Sequence, residues 1–321
     1  MCDFTSFLAN QIRAYVSYQE ASEHWNDASY EVNLRLFDKF CEKNYHHAAS
    51  LSQEMVDTWC CKRKTETNNS CRSRIYVVVS FVRYLRSRGL TAVTDPIIPR
   101  KEAREYIPHS FTEEELRNFF AACDSIPETP PIEEQRSRRI TVPVFFRLLY
   151  SSGIRTTEAR LLRTEDVDLN HGILNIRYSK GHNQHFAVLH ESMLELLIQY
   201  DDAISKLYPN REYFFPARSR GGGGHTRAWV QDNFRKMWFK YNNGYAVPYE
   251  LRHNYAIENI NSWTNEGFGF TAKLLYLSKS MGHSVIESTK YYYSLVPGLA
   301  DIIEVQTNES AVIPEVDYES Y

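Results

Sequence analysis

Residues 91–109 carry three prolines, Pro96, Pro99 and Pro108, with charged side chains between them. Proline fixes φ and removes a backbone donor, so no regular element survives that punctuation. The stretch reads as a linker, and the sequence on either side must fold separately. A helix starts abruptly beyond it. Thr112 stands at the N-cap, Glu115 completes a capping box, and Phe111 and Leu116 have the spacing of a hydrophobic staple. A boundary near residue 105 follows. It leaves one unit over 1–105 including the linker, a second over 106–300, and a tail over 301–321. A chain of 321 residues has room for two ordinary domains.

The first unit reads as helical. NLRLFDKFCEKN and SRIYVVVSFVRYLRSRG place apolar residues at helical spacing. In the second, Ile75, Val78, Val79, Val82 and Leu85 form one stripe, and Gly89 fits a C-terminal stop. The run Val77–Val79 is β-branched and suits a strand, but its flanks favour a helix. The second unit mixes elements. A helix is expected from about Pro143 to Tyr150, stopping at Gly153. A β-hairpin follows, ILNIRY (173–178) and HFAVLH (185–190) around the polar turn SKGHNQ. Further helices are expected over TRAWVQDNFRKMWFKY (226–241) and from Pro248. Gly221–Gly224 forms a glycine loop without the Lys-Ser/Thr of a P-loop. The expected fold class is mainly α with a small antiparallel sheet.

Hydrophobic residues make up 43% of the chain, mean hydropathy is −0.48, and no apolar run has the length of a membrane span. The N-terminus shows no basic start followed by an apolar stretch, so no signal peptide is expected. The six cysteines form no C-x-x-C pair or zinc spacing, and reduced intracellular thiols are the simplest reading. The net charge of −3 is unevenly spread. Residues 301–321 hold six acids and no Lys or Arg; without them, 37 basic residues face 34 acidic ones. Residues 62–88 hold eight basic side chains, including Lys62, Arg63, Lys64, Arg72 and Arg74, against the single acid Glu66. Such a cluster is either a solvated helix face or a surface that neutralises phosphates.

Five separated segments belong together. GIRTTEARLLRTEDVDL (153–169) places Arg155 after a helix-ending glycine, with Glu158 three residues on. Lys180 lies in the hairpin turn. PYELRHNYA (248–256) puts Tyr249 and Arg252 three apart, on one helix face. MGHS (281–284) sets His283 before a helix start, since Ser284 and Glu287 make a capping box. STKYYYS (288–294) holds three consecutive tyrosines, of which a helix presents only one to a given site. Alone, each has a plain structural reading: a surface Arg–Glu pair, a solvated turn lysine, a capping histidine, a packed aromatic helix.

In this order and spacing, the segments resemble the tyrosine recombinase (phage integrase) family over about residues 108–296. His283 and Tyr292 are nine positions apart, the family's offset, and Thr289-x-x-Tyr292 fits the same pattern. The resemblance implies an N-terminal helical, SAM-like core-binding domain and an α+β integrase-type catalytic domain. It implies a site-specific recombinase, working on double-stranded DNA as a homotetramer over paired sites in the cytoplasm, at the nucleoid. Integration or excision of a mobile element is the expected role. A catalytically decayed DNA-binding protein and a type IB topoisomerase-like enzyme are the alternatives.

The implied site residues have distinct tasks. Arg155 and Arg252 offer cationic forks to the non-bridging phosphate oxygens, with His283 as a third donor. Tyr292 attacks phosphorus, leaving a 3′-phosphotyrosyl link and a free 5′-hydroxyl. Lys180 protonates the leaving oxygen, and Glu158 orients Arg155. No cofactor or metal is required. Tyr249 departs from the family, which commonly has His there; a phenol is a poor base at neutral pH. His182, His185 and Arg227 join the basic residues of the first unit as DNA-binding candidates.

Overall fold

The computed structural model describes residues 4–22, 30–102, 108–127, 133–177, 184–217, 223–263, 270–283 and 289. Helices dominate because apolar residues recur at helical spacing, and each helix buries the resulting stripe. Packing separates a unit over Met1–Tyr106 from one over Ile107–Tyr321.

The first unit contains α1 (Ala9–Glu20), α2 (Val32–Asn44), α3 (Gln53–Cys60) and α4 (Asn68–Ser87), with α4 in contact with the other three. The expected stripe of Ile75, Val78, Val79, Val82 and Leu85 is buried, together with Val77 and Phe81. The β-branched run is therefore helical: burial on a helix face outweighs local strand preference, worth a few tenths of a kcal/mol per residue. Thr67 caps α4 by accepting the Ser70 N–H at 3.1 Å, and Gly89 follows with φ +68°, the left-handed conformation that ends helices.

The second unit opens with α5 (Glu113–Asp124). Its capping box is formed: the Glu115 N–H donates to Thr112 Oγ1 at 3.1 Å, and the Thr112 N–H donates to Glu115 Oε2 at 2.9 Å. α6 (Glu133–Ser152) begins ten residues before the expected start and runs through Pro143. An internal proline costs a helix about 3 kcal/mol. Around it, Val142, Val144, Phe145, Phe146, Leu148 and Leu149 are all buried, each worth about 1.5–3 kcal/mol. Packing thus overrides the local break. Gly153, with φ +64°, ends α6 where expected.

A short α7 (Thr156–Arg160) and a 3₁₀ turn lead into the sheet, β1 (Val167–Asp168), β2 (Ile173–Ile176) and β3 (His185–Val188), in the order β1-β2-β3 with both pairings antiparallel. The hairpin forms in the expected place, with Ile173 opposite Val188 and Ile176 opposite His185. β1 was not expected, since two residues carry no alternation. α8 (Glu191–Ser205), α9 (Arg227–Tyr241), α10 (Glu250–Ser262) and α11 (Phe270–Ser280) complete the unit. α6 packs against α5, α8 and α10, and α11 against α10 and β3. Aromatic side chains fill the centre: Phe119 and Phe234 have ring centroids 4.8 Å apart, and Trp238 stacks on Phe234. α10 starts two residues after Pro248, with Tyr249 as its N-cap. The buried Glu250 carboxylate accepts the N–H groups of Val247 at 2.7 Å and His109 at 3.1 Å, fixing that start.

Candidate active site

Three chain turns meet where α6, α10 and α11 end or begin. Gly153 closes α6 and carries Arg155 two residues on. Arg252 projects from the first turn of α10. Met281, Gly282 and His283 follow α11. Arg252 is 1% exposed. Its Nη1 donates to Gly153 O at 2.6 Å, and its Nη2 to Met281 O at 2.6 Å and to His283 Nε2 at 3.0 Å. Arg155 Nη1 donates to Glu158 Oε1 at 2.6 Å, and Nη2 to Gly282 O at 3.0 Å. The Arg155 N–H donates to Glu158 Oε2 at 2.7 Å. Glu158 is 2% exposed, so the expected second-sphere carboxylate is interior to the fold. Each guanidinium thus holds a carbonyl of the Met281–Gly282 turn, although Arg155 and Gly282 are 127 residues apart.

Two glycines allow this approach. Both Gly153 and Gly282 have φ near +60°, the region that disfavours side chains. A Cβ at Gly153 would lie 2.2 Å from Cδ1 of the Tyr255 ring, and one at Gly282 would lie 2.5 Å from the His185 ring. The backbone carbonyls reach the guanidiniums because neither residue has a side chain to hold its backbone off the Tyr255 and His185 rings.

His283 Nδ1 is 2.6 Å from Thr289 Oγ1. Burial, then the charges of Arg252 and Arg155, push its imidazole down to about 4, so it is neutral at pH 7. A guanidinium only donates, hence Nε2 accepts from Arg252 and the ring proton resides on Nδ1, directed to Thr289. The expected third donor is an acceptor toward Arg252 in this arrangement.

The other candidates divide. Tyr249 is 41% exposed, and its ring meets His253 edge-on at 5.0 Å. Sharing a face with Arg252 was expected, but Arg252 turns inward while Tyr249 stays at the surface. Burial lowers His253 to about 4. His185 corrects a sequence expectation. It opens β3, as the strand reading over 185–190 expects, but it is 9% exposed, where a DNA contact would be at the surface. Strand alternation points His185 and Ala187 inward and Phe186 and Val188 outward. Lys180, His182 and Tyr292 lie outside the described residues, as do Ser284 and Glu287 of the expected capping box.

In the first unit, Lys62, Arg63 and Lys64 are exposed, and Arg72 is half-buried with Nη1 donating to Pro99 O at 2.7 Å. Arg63 lies over the Trp59 ring at 5.2 Å. Arg227 is exposed at the start of α9. Arg74 is the second correction. It is 6% exposed, donates to both Glu66 oxygens at 2.6 and 2.9 Å, and also serves the carbonyls of Trp59 and Cys61. Its charge is committed inside the fold rather than at the surface. Its helix position, four residues before Val78 of the buried stripe, was the available signal. The roles of His185 and of the two glycine carbonyls had no such signal, because they depend on which turns meet. Among the described residues, no group of three His, Cys, Asp or Glu is placed to hold a metal, and no helix is long and apolar enough to cross a membrane.

Residues 109–297 match the model of the phage integrase family. The tyrosine recombinase XerC of Chlorobaculum parvum is 26% identical over 250 residues, covering 70% of this chain and 68% of its own. The tyrosine recombinase XerA of Thermococcus kodakarensis is 26% identical over 229 residues, covering 70% and 71%. In structure, the XerH site-specific recombinase bound to palindromic difH substrate aligns with a TM-score of 0.59 at 16% identity, covering 88% of this chain and 79% of its own. That likeness carries the fold: a mainly helical chain with a small antiparallel sheet. With a family model spanning more than half of its length, the chain belongs to the phage integrase family of tyrosine recombinases.

Proposed function

We propose that this protein is a site-specific DNA recombinase that cuts and rejoins DNA through a 3′-phosphotyrosyl intermediate. The observation that carries the reading is the meeting of Arg155, Arg252 and His283 across 128 positions of sequence, Arg155 to His283, around one turn. Charge develops on the non-bridging oxygens as phosphorus is attacked. Preorganised guanidiniums stabilise that charge without reorganising during the reaction. Both arginines are held by hydrogen bonds to backbone or Glu158, which fixes their geometry in advance.

In this mechanism the Tyr292 oxygen bonds to phosphorus, and the phenolic proton is released. The bond from phosphorus to the 5′ oxygen breaks, and Lys180 protonates that oxygen. The phosphotyrosyl link keeps the bond energy for rejoining, when a 5′-hydroxyl attacks and tyrosine leaves. Residues 1–105 serve as the core-binding domain, with Lys62, Arg63, Lys64 and Arg72 toward phosphates, residues 106–300 are catalytic, and the acidic tail over 301–321 follows. His182 and Arg227 add phosphate contacts. Four copies act on two paired sites in the cytoplasm, on nucleoid DNA, and the role is integration or excision of a mobile element.

The test is a denaturing gel of the protein with nicked duplex DNA, in which a cleaved end diffuses away and traps the covalent link. The wild-type protein is expected to form an adduct and Tyr292→Phe none. A wild-type protein that binds its site without forming any adduct supports the decayed DNA-binding protein instead.

A further inference from the structure

His185 touches both supports of Arg155. Its Nε2 is 3.9 Å from Glu158 Oε2. The Gly282 backbone lies so close to the ring that a Cβ there would fall 2.5 Å from Cε1 and from Nδ1. Glu158 and Gly282 are in turn the groups to which the Arg155 guanidinium donates, at 2.6 and 3.0 Å. The His185 side chain is buried, and so is the Glu158 carboxylate. Three segments distant in sequence, the head of β3, the start of α7 and the turn after α11, therefore converge behind one guanidinium.

We infer that His185 is a positioning residue of the recombinase site: through Glu158 and Gly282 it fixes the Arg155 guanidinium against the phosphate. The inference rests on the function proposed above. Glu158 uses both oxygens on Arg155, Oε1 for the guanidinium and Oε2 for the backbone N–H. The imidazole facing Oε2 limits rotation of that carboxylate. The same ring, flat against a residue without a side chain, sets the position of the Gly282 carbonyl. A fork that donates in two directions loses its aim if either acceptor moves, and an error of about 1 Å in such a site costs up to about a hundredfold in rate. His185 also leads out of the segment that carries Lys180 in the sequence, so a test must separate an effect on the arginine from one on the general acid.

Full-length wild type, His185→Phe, His185→Gln and Arg155→Ala are compared in single-turnover adduct formation on three nicked duplexes. One has an ordinary scissile phosphate. One has a methylphosphonate, which lacks one non-bridging charge and depends less on cationic stabilisation. One has sulfur at the bridging 5′ position, whose thiolate leaves without a general acid. Phe keeps a flat ring over Gly282 and removes both nitrogens; Gln offers Glu158 a polar N–H and serves if the Phe variant does not fold. The expected result on the ordinary phosphate is a loss of about tenfold or more for His185→Phe, partial recovery for His185→Gln, and unchanged DNA affinity. The deficit should shrink on the methylphosphonate, as it should for Arg155→Ala, and persist on the bridging-sulfur duplex. Wild-type rates for His185→Phe would overturn the inference. So would a deficit equal on all three duplexes, which marks a purely structural role, or one that vanishes only with bridging sulfur, which marks an action on Lys180. A wild-type protein without adduct on any duplex removes the recombinase reading itself, and this inference with it.

Discussion

Each unit buries an arginine, and the two are held in opposite ways. Arg74 in the helical first unit donates to both oxygens of Glu66, whose carboxyl those bonds hold down at about 2. Its positive charge is cancelled where it stands. Arg252 in the second unit is more deeply buried, at 1% exposure, and its described partners are two carbonyl oxygens and the neutral His283 ring. Those groups orient the guanidinium through hydrogen bonds. A buried ion pair is a structural device whose loss is felt in folding. Residue type and burial do not distinguish the two arginines; Arg74 meets a carboxylate within its own unit, whereas Arg252 ties together the turns that carry Gly153, Met281 and His283.

The contrast can be broken in several ways. Arg74→Ala leaves Glu66 and the carbonyls of Trp59 and Cys61 without their donor, and is expected to destabilise the first unit by about 3–5 kcal/mol. Hydrogen exchange on the full chain, read peptide by peptide, should show lost protection in α3 and α4, with α6 and α10 unchanged. Replacing the pair together, Arg74→Met with Glu66→Gln, should recover much of the loss. Equal loss of protection in both units would contradict the separation.

Acid should act on the units differently. His225, His253 and His283 are held at about 4 in the second unit, chiefly by burial, against 6.5 for an unfolded histidine. Between those values the unfolded chain binds more protons, so stability falls as pH falls from about 6.5 toward 4. Each histidine should withdraw roughly 2 kcal/mol by pH 5. Glu66 works over a lower window: its carboxyl is depressed to about 2, and its contribution is kept until pH drops below about 4.5. Exchange at pH 7 and pH 5 should therefore show α9 and α10 losing protection before α4. The reverse order would contradict the assignment of neutral buried imidazoles. The smallest effect is expected from Thr112→Ala, which removes the N-cap bond of α5 and should cost about 1 kcal/mol, visible as fraying of the first turn of α5 with the first unit unaffected.

Much of this organisation is legible from local patterns. The α4 stripe, the Thr112–Glu115 box, the stop at Gly153 and the hairpin all follow from spacing and turn chemistry acting within a few residues. Failures occur where distant contacts override that chemistry. Pro143 suited a helix start, but the buried aromatics on both sides carry α6 straight through it. β1 is too short to show alternation and exists through its pairing with β2. Arg74 counted as one of eight basic residues until its burial against Glu66 removed it from the surface. Arg155, Arg252 and His283 were selected as a set by order and spacing. The reason they meet, two glycines that let carbonyls approach guanidiniums, lies in the packing of Tyr255 and His185. His185 was placed near the site for a surface role and has an interior one.

Removing each of the two buried arginines in turn separates their roles most directly. Single-turnover adduct formation on nicked DNA should be measured for Arg252→Ala and Arg74→Ala, with rates normalised to the folded fraction. Removing one preorganised donor to a developing oxyanion costs on the order of 10²–10³ in rate, and Arg252→Ala should lose that much while remaining bound to DNA. Arg74→Ala should lose folded protein and keep the wild-type rate per folded molecule. Comparable rate losses for both variants, or a wild-type rate for Arg252→Ala, would contradict the proposed division between an arginine that serves folding and one that serves the phosphate.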